Sequence, residues 1–189
     1  MRLLRPVLIG GLIAGALDIV YAFIVYGPLT YKLAPTAVLQ SVAAGWLGED
    51  AASAGGVMTA LLGLVTHFTL ATVMAAVFVG CAARWPTLKR RPLMWGFIYG
   101  LGVYVVMTYL VVPLSAAHQS QHFVTNLQDL AARLQVSFGS VRPRNPGLLL
   151  GTLFTHTVLV GIPIALVNNR LANREHVVQS RPIRRNGAW

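Results

Sequence analysis

The sequence predicts an all-α polytopic membrane protein: four transmembrane helices, with short amphipathic interfacial helices in both outer loops. Three observations carry that prediction. Hydrophobic residues make up 56% of the chain and charged residues only 11%, against about 25% charged in ordinary soluble domains. Four apolar stretches can each cross a hydrocarbon core of about 30 Å, which takes about 20 helical residues. Lys and Arg, finally, are divided very unevenly among the segments between those stretches. A soluble protein so poor in charge would expose large apolar patches and aggregate. Lipid is the solvent this composition fits.

The stretches run from about Pro6 to Tyr26, Val57 to Ala83, Leu93 to Val112 and Gly147 to Val167. They must be helices, because lipid offers an exposed backbone no hydrogen-bond partners. Of the 15 Lys and Arg residues, four (Lys32, Arg133, Arg142 and Arg144) fall on one side of the membrane. The others flank the first stretch at Arg2 and Arg5, fill the turn from Arg84 to Arg91, or lie from Arg170 to Arg185. That bias places both termini and the middle loop on the cytoplasmic side. An odd number of spans would break the pattern. Residues 1–170 thus form one transmembrane domain, and 171–189 a basic cytoplasmic tail whose Pro, Gly, Asn and Arg content predicts disorder.

Two competing readings are set aside. The net charge of +10 could suggest nucleic acid, but the basic residues lie between apolar runs and in a short tail, with no basic face on a soluble module. Arg2, Arg5 and Ala14-Gly15-Ala16 resemble a cleavable signal peptide; the apolar stretch, however, continues through Ile19 to Tyr26. The single cysteine, Cys81, excludes an internal disulfide framework and any multi-Cys metal site.

The outer loops carry their own periodicity. After Pro35, a good first helical residue, Val38, Leu39, Val42 and Trp46 recur at helical spacing, and Gly45, Gly48, Gly55 and Gly56 interrupt. This is either a helix lying in the outer interface, anchored by Trp46, or a re-entrant hairpin lining a protein-walled cavity. In the second loop Phe123, Leu127, Leu130 and Leu134 form an apolar stripe, and Asn126, Gln128, Asp129 and Arg133 lie away from it. Between the spans, small residues permit close packing: Gly11 and Gly15 in the first, Ala60, Gly63 and Ala71 in the second, Gly96 and Gly100 in the third. Whether these seams close within one chain or across a dimer is open at this point.

The candidate site is a set of three ionisable residues inside the spans: Asp18, His67 and His156. At 1.5 Å per residue they lie roughly 16, 16 and 14 Å from the ends of their stretches, near the midplane. An ionised Asp there costs about 2.5–3.5 kcal/mol on insertion scales, so three such groups at one depth point to a shared polar site. Asp18 accepting from a histidine N–H is the expected arrangement, with Thr66, Tyr104 and Thr152 as supporting hydrogen-bond partners. Three readings stand: polar glue between helices, a proton- or ion-handling site, and a metal or bis-histidine haem site. A resident cofactor is not expected, since zinc usually takes three or four ligands and this spacing across separate helices matches no motif. His118 and His122, at i, i+4 spacing, are weak metal candidates beside their simpler reading as solvated histidines. No nucleophile elbow, phosphate loop, dinucleotide fingerprint or kinase signature is present, so no enzyme is predicted.

Thr66-His67-Phe68, Arg84-Trp85-Pro86-Thr87-Leu88-Lys89, Trp95-Gly96, Pro113-Leu114 and His156 together resemble the YagU-type bacterial inner-membrane proteins. The likeness covers roughly the second half of the chain, and the first span only by its glycine pattern; Asp18 matches no motif of that family. The resemblance implies an inner-membrane protein associated with acid resistance, with no established catalytic activity. The function expected is therefore non-enzymatic, centred on a proton-responsive midplane site and contributing to acid or envelope stress tolerance. Alternatives are a structural or accessory subunit of a larger membrane complex and a haem- or metal-binding protein. The partners expected are the lipid bilayer and either a homo-oligomer or a larger complex, with no nucleic acid.

Overall fold

The computed structural model describes residues 3–117, 122–139 and 146–179. In chain order the helices are α1 (Leu4–Tyr31), α2 (Pro35–Leu47), α3 (Glu49–Ala54), α4 (Gly56–Arg84), α5 (Thr87–Arg90), α6 (Pro92–Leu114), α7 (Leu127–Gly139) and α8 (146–179). No strand occurs among the described residues. Helices α1, α4, α6 and the Pro146–Ala172 part of α8 are long and apolar enough to cross a membrane. The chain is an all-α, multi-pass membrane protein. The start of α1, the end of α8 and α5 lie at one end of the bundle, here the terminal end; α2, α3 and α7 lie at the other, the loop end.

The helices overrun the stretches that hydropathy marks. In α1 the regular geometry breaks at Gly27 (φ −77°, ψ −111°), one residue past the expected end. A wide π-type turn then carries on to Tyr31, because Pro28 has no N–H to donate. Lys32, at a left-handed φ of 56°, closes it: its N–H donates to the Gly27 carbonyl at 2.7 Å, and that of Leu33 to Tyr26 at 3.1 Å. The backbone of α8 stays helical to Gln179, beyond the expected start of the tail, and 180–189 lie outside the described residues.

Helix α1 sits between α4 and α8, and α6 packs on the far side of α8. Without a hydrophobic force between helices in lipid, close backbone contact has to hold them, and glycine provides it. A Cβ at Gly11 would stand 2.6 Å from the Thr72 Cα of α4, and one at Gly15 2.9 Å from the Phe68 ring. Across the bundle, a Cβ at Gly96 would stand 2.8 Å from the Gly161 carbonyl of α8, and one at Gly100 2.5 Å from the Thr157 Cα. The small-residue seams therefore close within one chain. Between them lies a core of Ala14, Ala75, Phe78, Val160, Ile164 and Ala165. Helices α4 and α6 are tied near the terminal end, where the Tyr99 hydroxyl donates to the Met74 carbonyl at 2.7 Å and its ring meets Phe78 edge-on. Toward the loop end they part, leaving a cleft.

In the first loop α2 and α3 fold back on each other against α4. Gln40 reaches the Thr59 hydroxyl, the Leu39 carbonyl lies against Gly63, and the Trp46 indole donates to the Thr66 hydroxyl at 3.0 Å. These contacts advance along α2 and α4 in the same sense, so α2 runs beside the first half of α4 and walls the cleft. Gly48, at φ 79°, then reverses the chain into α3, a conformation that favours glycine.

The second loop corrects the amphipathic reading. Arg133, expected to face away from the bundle, is 1% exposed, while Leu127 of the expected inner stripe is 82% exposed. The reason is donor satisfaction. The Arg133 guanidinium donates to both Asp129 carboxylate oxygens (2.7 and 3.0 Å), to the Pro113 and Ser115 carbonyls at the end of α6 (3.2 and 3.3 Å) and to the His122 carbonyl (2.9 Å). All five guanidinium hydrogens are accounted for. Asn126 caps α7 by accepting from the Asp129 N–H at 2.9 Å, and Asp129 in turn accepts from the Thr125 N–H at 3.1 Å.

That clasp has a defined acid limit. The hydrogen bond from Arg133 holds the Asp129 carboxyl below its usual range, and the Thr125 N–H acts in the same sense. A lowered carboxylate contributes its stability in full above its unfolded pKa of about 3.9 and loses it as pH falls through the lower folded value. Hydrogen-exchange protection of residues 122–136, corrected for intrinsic exchange, is thus expected to stay level from pH 7 to about 4.5 and to fall only at stronger acid. In Asp129→Asn the protection should be lower throughout and should lack that acid step.

Candidate functional site

Three spans carry π-type turns, and each accompanies a proline: Val25–Tyr31 contains Pro28, Met107–Val111 precedes Pro113, and Thr155–Gly161 precedes Pro163. A proline removes the N–H that an α-helix would place on the carbonyl four residues back, and its ring crowds that carbonyl. Widening the preceding turn relieves both, an adjustment that frequently marks functional sites. Here the second and third of these turns supply Met107 and His156 to one place.

Each histidine is held by a backbone carbonyl. His67 Nε2–H donates to the Gly15 carbonyl of α1 at 2.9 Å. The bond depends on the close approach that glycine at 15 allows between α1 and α4. His156 Nδ1–H donates to the Thr152 carbonyl one turn earlier at 2.8 Å, and the Tyr104 ring of α6 packs edge-on against it, centroids 5.9 Å apart. In the neutral form each ring therefore leaves its other nitrogen as an acceptor.

Asp18, His67 and His156 come together around one small cavity of about 70 Å³, completed by Leu70, Met74 and Met107 among others. That volume holds about two waters at roughly 30 Å³ each. The direct Asp–His hydrogen bond expected from the sequence is not the arrangement, because both ring N–H groups bond backbone carbonyls. Among the described residues no protein group donates to the Asp18 carboxyl. The polar groups that line this otherwise apolar cavity are thus acceptors, and a polar occupant must bring the hydrogens.

The supporting residues divide. Thr152 and Tyr104 frame His156 as described, and the Thr152 hydroxyl donates to the Leu148 carbonyl at 2.8 Å. Thr66 instead serves the cleft, bonded to Trp46. His122 belongs to the α7 clasp, its ring nitrogen Nδ1 lying 2.8 Å from the Phe123 carbonyl; His118 lies outside the described residues. Among the described residues no group of three or more His, Cys, Asp or Glu side chains is placed to hold a metal ion. The cavity that His67 and His156 both line, about 70 Å³, has no room for a haem macrocycle.

No family model matches this chain, and no curated protein or solved structure is significantly similar to it. Sequence reasoning missed the π-type turns and the cleft. Pro113, just past the end of the third apolar stretch, and Pro163, inside the fourth, are the signal that could have placed the turns.

Proposed function

We propose that this is a non-enzymatic protein of a bacterial inner membrane whose midplane cavity takes up and releases protons. The observation that carries the reading is the convergence of Asp18, His67 and His156, from three different spans, on one water-sized cavity. Intramembrane ionisable groups are costly, and those that face a cavity mark proton or ion pathways. The excess of Lys and Arg at the terminal end favours its placement in the cytoplasm, with the loop end outside. The resemblance drawn from the sequence adds tolerance of acid as the setting. An accessory subunit docked through glycine faces has less support, since Gly11, Gly15, Gly96 and Gly100 are covered by α4 and α8.

Infrared difference spectra of the protein in nanodiscs test this. On acidification the protonated-carboxyl band should contain a component absent from Asp18→Asn, and its midpoint should shift in His67→Gln and His156→Gln. If wild type and Asp18→Asn give the same band while the variant only lowers the yield of folded protein, the cluster is polar glue. Such glue amounts to about 0.6 kcal/mol per hydrogen bond.

A further inference from the structure

The cleft between α4 and α6 has a volume of about 490 Å³ and almost wholly apolar walls, among them Val42, Trp46, Leu70, Met107, Val111 and Phe123. That size falls within the range of small-molecule sites, about 300–1,000 Å³. Its polar side chains are already paired with protein: Trp46 donates to Thr66, and the Ser115 hydroxyl donates to the Val112 carbonyl at 2.8 Å. An occupant's body must therefore be apolar.

The cleft does not end blindly. Leu70 and Met107 line it and also line the Asp18 cavity beneath, so these two side chains are the partition between the compartments. One of them is methionine, whose unbranched side chain adapts readily to what it packs against. Behind the partition stand a carboxyl without a protein donor and two imidazoles whose N–H groups are already used. An anionic head would meet like charge and lone pairs there. A neutral hydroxyl would bring a single hydrogen. A protonated amine brings a positive charge and up to three donors.

We infer that cleft and cavity form one binding site for an amphipathic amine, its apolar body between α4 and α6 and its ammonium group beside Asp18. The ammonium takes the place of a proton at Asp18, so binding and protonation compete. The titratable groups around that head are Asp18 of α1, His67 of α4, His156 of α8, Tyr26 of α1, which bonds Thr152 and lies within electrostatic reach of Asp18, and, against the His156 ring, Tyr104 of α6. Among the described residues no Lys, Arg or Glu lines either compartment. The inference rests on the reading of Asp18 as a protonatable group.

The test is equilibrium dialysis of radiolabelled dodecylamine, dodecanol and dodecanoate against the protein in nanodiscs, with empty nanodiscs as the partition control. Dodecylamine should bind saturably at one per chain, at least tenfold tighter than the other two, and more weakly at pH 6 than at pH 8. Asp18→Asn should weaken it at least tenfold. Val111→Trp, which fills the cleft, should do the same while the Asp18 carboxyl band still titrates. Equal binding of dodecanol and dodecylamine would overturn the inference in favour of a purely apolar groove. Absence of saturable dodecylamine binding would also overturn it, and leaves the proton reading intact if the Asp18 band titrates. Loss of both signals would overturn the two together.

Discussion

Gly100→Val is expected to destabilise the bundle by about 3 kcal/mol, at the upper end of the overpacking range, as read by steric trapping in bicelles. The cost arises because the added side chain meets backbone. A Cβ at Gly100 would press on the His156 carbonyl and stand 2.5 Å from the Thr157 Cα, neither of which can rotate away. Gly161, facing Gly96 and Gly100 from α8, leaves the seam no slack. Gly102, two residues on, has nothing within 4 Å of its would-be Cβ, so Gly102→Val is the matched control and should cost under about 1 kcal/mol. Because His156 belongs to the backbone that Gly100 touches, its ring should also leave the cavity in Gly100→Val, and the Asp18 carboxyl midpoint should move. Equal stability of the two variants would show that α6 is not seated on α8 in this way.

The second large effect concerns Arg133. Arg133→Met keeps much of the volume but removes every donor, stranding the Asp129 carboxylate and the carbonyls of Pro113, Ser115 and His122. Hydrogen exchange in residues 122–136 is expected to quicken at least tenfold while α1, α4 and α8 keep their protection. Deleting one partner of a buried polar pair is costlier than replacing both by apolar groups. Arg133→Met with Asp129→Leu should accordingly recover part of the loss. A double variant worse than the single would mean that the clasp is not the unit holding α7.

The number and positions of the spans were legible because hydropathy and the twenty-residue length of a crossing are one-dimensional properties. Their ends were not, since helix outlasts apolarity: Pro28 forces a wide last turn in α1, and α8 continues to Gln179. The common depth of Asp18, His67 and His156 was legible for the same reason as the spans, as it needs only the rise per residue. Their partners were not. That His67 would bond the Gly15 carbonyl depends on how closely α1 approaches α4, and the direction of His156 depends on a π-type turn. Arg133 shows the limit of amphipathic patterning. Charge was assigned to solvent, yet the guanidinium finds enough carbonyls at the end of α6 to be buried.

The order of the helices bears on biogenesis. Helix α1, which leaves the ribosome before the other three spans, lies between α4 and α8, which leaves after them. Asp18 therefore enters the bilayer before either histidine has been synthesised. His67 follows with α4, and His156 arrives only with α8, which also brings the surface on which α6 docks. A chain truncated before α8 would hold a carboxyl in lipid beside a half-built wall, with α6 lacking its glycine-lined seat. Completion of the polar chamber and closure of the bundle are thus one late event in translation.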